Sequence, residues 1–282
     1  MTRKARIGVI GAGWWAVANH LPILEAREDV ELMAVCRLGR EELRAVARRF
    51  GFGFATEDYR EMLDTVELDG VIIASPHVLH YEHARAALER GLHVLIEKPL
   101  TTSAELAREL VALARKKNLE IIIPYGWNFK PYTREAHRLL GKGAVGEVRH
   151  VVLQMASALG DLFAGEGLLE AEEAMFKPPA STWADPEHAG GYGWGQLIHA
   201  LGLLFRITEL PPKRVFAWMG LSPIGVDYYD AISMQFENGA TASVSGAATV
   251  PKHMGFQIDL DLRNRGDAAS RYRARALSGP PP

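Results

Sequence analysis

Lys98 is the residue of this sequence whose position most directly suggests chemistry. It stands in Glu97-Lys98-Pro99, at the end of the short apolar segment that follows Gly91. Because proline removes a ladder donor and fixes its own φ, we expect Pro99 to end a strand and leave Lys98 at its carboxyl end. Partial burial can lower the pKa of such a lysine enough for it to accept a substrate proton. The alternative is a solvated lysine that only marks a strand end.

A glycine-rich segment near the N-terminus is typical of a nucleotide-binding loop. A predicted buried strand precedes Gly11-Ala12-Gly13-Trp14-Trp15-Ala16, which is the G-x-G-x-x-A form of the dinucleotide fingerprint. Gly11 would allow the tight turn, and Gly13 would let the backbone approach a pyrophosphate at a helix N-terminus. We expect Trp14 and Trp15 to contact the same cofactor.

Arg37 follows the second predicted strand, where an acidic residue usually holds the ribose 2′-hydroxyl group of NAD. A guanidinium cannot accept a hydrogen bond from a hydroxyl group, but it pairs well with a phosphate. Arg37 therefore favours NADP over NAD. The alternative, in which Arg37 stacks on the adenine or faces solvent, leaves NAD open.

Further candidate cofactor contacts follow the apolar strand that ends at Ser75. A histidine at a helix start is more often a cap or a packing group than a catalyst, so that alternative stays open for the last of them. The candidates at this strand end are Ser75, Pro76, His77 and His80, and Glu97 joins them from the next strand end.

The elements around these residues predict an α/β protein of two domains. Strands alternate with helices over residues 1–124, which predicts a doubly wound parallel sheet in a Rossmann domain. Residues 125–261 show successive alternating strands and an Asn238-Gly239 hairpin signal, which predict an α+β domain on a mostly antiparallel open sheet. Residues 262–282 place arginines among Ala, Ser and Gly and end in prolines, so we predict a disordered tail.

The second predicted domain contains the remaining candidates. A long loop over residues 160–191 leads into the glycine-rich run that ends at His199, and loops of this length are usually functional or disordered. Taken alone, His199 is better interpreted as a structural histidine. The candidate substrate contacts are Asn128, Trp183, Asp185, Gln196 and His199.

Composition limits the classes of function. The 282 residues carry a net charge of -2, which gives no electrostatic footprint for nucleic acid or an anionic membrane. The single cysteine, Cys36, can form neither a disulfide framework nor a cysteine metal site, so we predict no metal and a reducing compartment. No apolar run approaches the roughly 20 residues that span a bilayer. The N-terminus has features of a secretory signal, but a strand and a phosphate loop explain its glycines, so we expect a cytoplasmic protein.

The sequence resembles the Gfo/Idh/MocA oxidoreductase family over roughly residues 5 to 261, in its phosphate loop, in Ser75-Pro76 with His80, in Glu97-Lys98-Pro99 and in the run ending at His199. The resemblance implies hydride transfer between a nicotinamide cofactor and a sugar, polyol or related hydroxyl or carbonyl compound. It also implies a Lys-Pro bond that tends to be cis and a C-terminal sheet that often forms a dimer face, so we expect a homo-oligomer. The family sheet normally continues well past residue 262, so a truncated or altered C-terminus is predicted.

The resemblance assigns roles to two residues. Lys98 matches the catalytic lysine of the family, and His199 matches its catalytic histidine. The family often places an aspartate four residues before that histidine, where this chain has Gly195. Either Lys98 and His199 share the proton transfer, with Gln196 or Asp185 positioning the substrate, or the chemistry is altered or lost. The alternatives to a dehydrogenase are a non-catalytic NAD(P)-binding sensor, an inactive paralogue and a redox-assisted glycosidase.

Overall fold

Apolar segments of the N-terminal part of the chain form a parallel sheet. The computed structural model describes residues 3–166, 174–178, 180–251, 256–264 and 272–278. Every neighbouring pair of strands in the first sheet is parallel, and the order β3-β2-β1-β4-β5-β6 is that of a doubly wound dinucleotide-binding sheet. The predicted fold class is confirmed. The strands are β1 (Ala5–Ile10), β2 (Val30–Cys36), β3 (Phe54–Thr56), β4 (Gly70–Ile73), β5 (His93–Ile96) and β6 (Ile121–Ile122).

Helices cover both faces of this sheet because its central strands are apolar on both sides. Val9 and Ile10 are neighbours that point to opposite faces, and both are buried. Ile10 belongs to an apolar cluster with residues of α4 and α5, whereas Val9 belongs to a second cluster with residues of α2. The helices of this unit are α1 (Leu21–Glu25), α2 (Arg40–Phe50), α3 (Tyr59–Thr65), α4 (His80–Glu89) and α5 (Ala104–Lys117).

The helix after the phosphate loop changes its winding before a proline. Residues Ala16–His20 form a π-helical turn, and α1 begins directly after it with Pro22 in its first turn. The helix continues across this change, because the N–H of Leu21 donates to the carbonyl oxygen of Ala16. Sharp changes in a helix occur mostly at prolines and at π-helical turns, and here the two are adjacent. The chain therefore stays helical through Pro22 and changes its winding just before it.

The chain divides into two units. The first comprises Met1–Pro124 with Gly167–Thr182, and the second comprises Tyr125–Glu166 with Trp183–Pro282. The boundary after Pro124 coincides with the change from parallel to alternating strand patterns in the sequence. No sequence signal indicated that Gly167–Thr182 belongs with the first unit. Among the described residues, no helix has both the length and the apolar character needed to cross a membrane.

The second unit is built on a mixed sheet with the order β12-β11-β7-β10-β9-β8. Strands β7 and β10 pair in parallel, and the other neighbouring pairs of described strands are antiparallel. The mostly antiparallel α+β class is thus confirmed. The strands are β7 (Val148–Ala156), β8 (Pro212–Leu221), β9 (Asp227–Phe236), β10 (Thr241–Ala247), β11 (Phe256–Asn264) and β12 (Tyr272–Ser278).

One face of the second sheet carries the core of this unit, and the other face is open. In β10, Ala242 and Val244 are buried, whereas Ser243 and Ser245 between them are exposed. The buried side packs against apolar residues of α9, including Leu203. The helices of this unit are α6 (Pro131–Gly141), α7 (Gly160–Phe163) and α9 (Ile198–Thr208), and the short helix α8 (Ala180–Trp183) includes the point in the chain where the first unit ends and the second resumes.

The prediction of a disordered tail from residue 262 is wrong for the residues that the structure describes there. Strand β11 continues to Asn264, and Tyr272–Ser278 pairs with it as antiparallel strand β12. Pairing with β11 gives the backbone of this basic segment its hydrogen bonds, and such tertiary pairing overrides composition. The sequence held a weak signal, because arginine alternates with alanine over residues 273–276. The other residues of the predicted tail lie outside the described part of the chain.

Candidate functional site

The loop after β1 has the space that a dinucleotide phosphate requires. Gly11 has φ +85°, and a Cβ there would lie 2.4 Å from the backbone nitrogen of Ser75, so a side chain is excluded. A Cβ on Gly13 would meet nothing within 4 Å, which leaves room for close approach of a pyrophosphate to the backbone. The loop therefore fits the nicotinamide dinucleotide that its fingerprint predicts. Trp14 is half-buried at the start of the helix that follows this loop.

Glu97 is the centre of a hydrogen-bond network beside this loop. Its Oε1 accepts a hydrogen bond from Trp15 Nε1 at 2.8 Å and lies 2.7 Å from His20 Nε2. Burial acts to raise the pKa of Glu97, but the hydrogen bond to His20 and the charge of Lys98 lower it overall, so the carboxylate stays ionised. The network fixes two predicted cofactor contacts, Trp15 and Glu97. No motif in the sequence pointed to His20.

Lys98 lies at the carboxyl end of β5 and is only 6% exposed. Burial lowers the pKa of its amine to about 8, while the neighbouring Glu97 acts in the opposite direction. The Lys98–Pro99 peptide bond is cis, as the family resemblance implies. Near neutral pH such a lysine can both accept and release a proton.

His80 is an internal packing residue, and a cofactor contact through its ring is not supported. The side chain is fully buried, with Nδ1 2.6 Å from the carbonyl oxygen of Pro99 and Nε2 2.8 Å from that of Ser75. Burial lowers the pKa of His80, and the two carbonyl groups act against it. The ring thus contacts the backbone of both the turn after β4 and the turn that carries Lys98.

Ser75 and its neighbours lie at the carboxyl end of β4, next to the phosphate loop. Ser75 Oγ lies 2.9 Å from His83 Nδ1, and burial lowers the pKa of His83 to about 4, so this histidine is neutral. Pro76 precedes a short 3-10 turn that begins at the buried His77. The atoms nearest to a Cβ on Gly11 are backbone atoms of Ala74 and Ser75, not the Ser75 hydroxyl group.

Arg37 extends from the end of β2 to the phosphate loop. Its Nη1 donates to the carbonyl oxygen of Ala12 at 3.1 Å, and its Nε donates to that of Leu38 at 3.0 Å. Burial lowers the pKa of Arg37 somewhat, although Glu42 opposes that effect, and the guanidinium remains charged. Arg37 therefore occupies the position from which this fold recognises the ribose 2′ substituent.

His199 is the second residue of α9 and is half-buried. The rings of Tyr125 and Trp127 each meet it edge to face, with centroids 5.7 Å away. Tyr125 precedes a 3-10 turn over Gly126–Phe129, and Trp127 lies within that turn. The imidazole is thus packed between two aromatic side chains of its own unit.

Gly195 departs from the family pattern for a packing reason. It lies in the π-helical turn Gly193–Leu197, and a Cβ on it would lie 2.9 Å from Phe163 Cζ and 3.2 Å from Trp183 Cζ3. An aspartate cannot occupy this position unless those rings move. Gln196 beside it is half-buried and is the nearest polar side chain in this turn.

Asn128 lines a groove of about 500 Å³ on the outer side of α9. Its Oδ1 is buried and has no hydrogen-bond partner among the described residues. Because a buried amide oxygen without a partner is costly, a ligand or water would be stabilised there. The other residues of the groove are Tyr125, Ile198, Leu201, Gly202, Phe205 and Arg206.

Asp185 and Trp183 serve their own segment. The Asp185 carboxylate accepts from the backbone nitrogen of Glu187 at 2.9 Å and lies 2.6 Å from His188 Nδ1, and this histidine lowers the pKa of Asp185. Trp183 packs edge to face against Phe163. Substrate contact by these two residues stays a prediction, and both have structural roles without it.

The parallel sheet, the glycine loop and the buried lysine define a dinucleotide-binding Rossmann protein with an α+β second unit. Residues 5–125 match the family described as "Oxidoreductase family, NAD-binding Rossmann fold", and residues 133–265 match the "GFO/IDH/MocA C-terminal domain". The chain belongs to the Gfo/Idh/MocA family, as the sequence resemblance indicated.

Curated relatives and solved structures resemble the chain to different extents. It is 35% identical to D-glucoside 3-dehydrogenase of Escherichia coli (strain K12) over 51% of its own length, and it spans about two fifths (41%) of that relative. It is 27% identical to D-xylose 1-dehydrogenase (NADP(+)) 2 of Haloferax volcanii over 89% of its length and 72% of the relative. The structure of scyllo-inositol dehydrogenase from Lactobacillus casei with bound NAD(H) and scyllo-inositol has a TM-score of 0.77 at 19% identity, covering 96% of this chain and 76% of that one. At that identity the likeness shows the fold alone.

Proposed function

We propose that the protein is an NAD(P)-dependent oxidoreductase that transfers a hydride between a nicotinamide cofactor and a hydroxyl or carbonyl group of a sugar or polyol. The observation that carries this proposal is Lys98, a buried amine with a pKa lowered to about 8 at the ligand edge of a Rossmann sheet. Family membership and the sugar-acting relatives support the substrate class.

The chemistry assigned to Lys98 is transfer of the hydroxyl proton. A bound nicotinamide dinucleotide would accept the hydride from the carbon atom that carries this hydroxyl group. The neutral amine of Lys98 would take the proton of the same hydroxyl group as the C–O bond becomes a carbonyl, and the ammonium would return it in the reverse direction. Glu97, held by Trp15 and His20, provides a fixed negative charge next to this amine.

His199 is proposed as a second group that handles the proton or stabilises an alkoxide. The support comes from the second unit alone, where Tyr125 and Trp127 hold the imidazole. Gln196 is proposed to position the substrate, because the position of the usual aspartate is Gly195. Asn128 is proposed as a further substrate contact, since its buried Oδ1 has no partner among the described residues.

NADP is the proposed cofactor, and Arg37 supports it. The guanidinium is held at the end of β2 by the Ala12 and Leu38 carbonyl groups, ready to pair with a 2′-phosphate. Titration of the protein with NADPH and NADH, followed by tryptophan fluorescence, should give a lower dissociation constant for NADPH. Binding of NADH at least tenfold more tightly would contradict this preference.

Lys98→Ala tests the catalytic assignment. Turnover of a panel of sugars and polyols should be lost, while NADPH affinity should change by no more than a few-fold. Lys116→Ala is the matched control, because Lys116 is an exposed lysine of α5, and it should leave both quantities unchanged. Wild-type turnover by Lys98→Ala would end the assignment.

A non-catalytic NAD(P)-binding protein is the second candidate, and the packing around Gly195 favours it. Phe163 and Trp183 fill the space that the family aspartate would need. This candidate predicts tight cofactor binding by the wild-type protein without turnover of any sugar or polyol. Cofactor turnover by the wild-type protein that Lys98→Ala abolishes would exclude it.

A homo-oligomer through the open face of the second sheet is also proposed. Trp218 and Phe216 of β8 are 72% and 58% exposed on this face, next to serine residues of β9 and β10 that let a partner approach closely. Trp218→Ser should weaken self-association at least about tenfold in light-scattering measurements over a concentration series. Val215→Ser alters the opposite face of the same strand and should not. Equal effects of the two changes would count against this interface.

A cytoplasmic location is proposed as well. Cys36 is a free, buried thiol, and burial raises its pKa to about 12, so it is unreactive. A chain without a disulfide of its own suits a reducing compartment. Cell fractionation tests this location, and recovery outside the cytoplasmic fraction would contradict it.

A further inference from the structure

The ring of Phe176 packs against Arg37, the residue that is proposed to set the preference between NADP and NAD. The guanidinium carbon of Arg37 lies 4.1 Å from the centroid of the Phe176 ring. Phe176 belongs to the segment Gly167–Thr182, which is part of the first unit although it lies far from the Rossmann elements in sequence. Its half-buried ring also packs against the apolar cluster on the α2 side of the parallel sheet. The ring is therefore anchored by core contacts as well as by Arg37.

The hydrogen bonds of Arg37 define how its guanidinium is presented. Nη1 donates to Ala12 and Nε donates to Leu38, and both acceptors are backbone carbonyl groups. Neither bond uses Nη2, which has no hydrogen-bond partner among the described residues. Arg37 is thus held by two in-plane bonds, with the Phe176 ring against one flat face. Its remaining N–H groups lie in the guanidinium plane.

A phosphate and an aromatic base bind different parts of a guanidinium. Phosphate oxygens accept from the in-plane N–H groups, whereas an adenine stacks on a flat face. The Phe176 ring lies against a face, so it competes for that face and leaves the N–H edge available. It also favours the charged, fixed guanidinium through a cation–π interaction, which strengthens where water is partly excluded. Burial of Arg37 provides that partial exclusion.

We propose that Phe176 is a positioning residue that holds Arg37 edge-on to the 2′-phosphate of the cofactor and thereby sets the preference for NADP over NAD. This inference rests on the proposed NADP-dependent function. Phe176 contacts Arg37 rather than the reacting atoms, so its effect should appear in the ratio of NADPH and NADH dissociation constants.

Two substitutions of Phe176 distinguish the effect of its aromatic ring from the effect of its apolar volume. Phe176→Leu keeps apolar volume but removes the π-face, and it should weaken NADPH binding by about three- to tenfold relative to NADH. Phe176→Tyr keeps the ring and should retain the wild-type ratio. Met175→Ala changes an exposed neighbour and should also retain it. Arg37→Gln should abolish the preference, and adding Phe176→Leu to it should cause no further loss.

The measurement is the dissociation constant of each reduced cofactor for the full chain, with the melting temperature as a check on folding. An unchanged NADPH-to-NADH ratio in Phe176→Leu would overturn the inference. Equal tightening of both cofactors would also overturn it, because the ring would then obstruct the site. A wild-type protein that prefers NADH, or binds neither cofactor, would instead show that the proposed cofactor preference fails before any variant is made.

Discussion

Burial acts on ionisable groups in both units, but in opposite directions and with different consequences. In the first sheet, burial lowers the pKa of Lys98 to about 8 at the carboxyl edge of β5. In the second sheet, burial and the neighbouring Asp227 raise the pKa of Asp230 to about 7. Lys98 lies where ligands bind in this fold, so its neutral form is useful to a reaction. Asp230 lies on β9 beneath the glycine-rich turn, where Asp227 accepts a hydrogen bond from the backbone nitrogen of Gly193. There the same desolvation is a cost to stability.

The two sheets also differ in how many of their faces are covered by helices. The first sheet has helices on both faces, and its central strands are buried. The second sheet has one open face, and β8 at its edge is exposed along its length. Parallel sheets need both faces covered, whereas an antiparallel sheet can leave one to solvent or to a partner. Substitutions should therefore be least tolerated in the first sheet.

The largest expected effect comes from the phosphate loop. Gly11→Ala would force a Cβ against the backbone of Ser75 at a positive φ, so we expect a loss of roughly 3 kcal/mol or more in the free energy of unfolding. Gly13→Ala is the matched control, because its Cβ meets nothing within 4 Å. It should leave the melting temperature nearly unchanged and weaken NADPH binding. Equal melting temperatures for Gly11→Ala and the wild type would contradict this account of the loop.

The next effect concerns the second unit. Gly195→Asp restores the residue that the family often has, but its Cβ would overlap Phe163, so we expect destabilisation by about 1–3 kcal/mol in urea unfolding. Adding Phe163→Leu to Gly195→Asp replaces the overlapping ring with a smaller side chain. This second substitution should recover part of the lost stability. A gain in sugar turnover by Gly195→Asp with an unchanged melting temperature would show that the site tolerates the aspartate.

A smaller effect on the free energy of unfolding should follow from the ionisation of Asp230 as the pH rises. Its pKa is raised to about 7 in the folded protein from the ordinary aspartate value of about 3.8, so the folded state binds the extra proton over that range. The stability from this group is complete below about pH 4 and is lost as the pH rises through about 7. Between about pH 5.5 and pH 8, the wild type should lose stability in urea unfolding relative to Asp230→Asn. The two proteins would lose stability in parallel if Asp230 were ionised throughout.

Local signals in the sequence were sufficient for much of the first unit. Gly11 and Gly13 follow from a short motif whose geometry is set by neighbouring residues, whereas the cis Lys98-Pro99 bond follows from the family resemblance. In the second unit, the hairpin at Asn238-Gly239 follows in the same way from its turn residues. Gly239 adopts the positive φ that this turn requires.

Features that depend on distant contacts could not be predicted. Strand β12 exists because β11 pairs with it, and Phe176 meets Arg37 although 138 residues separate them in the sequence. His20 is defined by Glu97, which follows it by 77 positions. The structural role of His80 depends on the carbonyl groups of two separate turns. Such contacts leave no periodic pattern, so a single sequence does not reveal them.

The most direct test of the central claim is the pH dependence of a single turnover. Reduction of bound NADP⁺ by a sugar substrate should accelerate as the pH rises, with a half-maximal rate at or below about pH 8 and a plateau above that. A bound cationic nicotinamide can only lower the pKa of Lys98 further from its value of about 8 in the free protein. In Lys98→Ala the rate should fall at least about 100-fold and lose this pH dependence. The same profile and rate in Lys98→Ala as in the wild type would contradict the account.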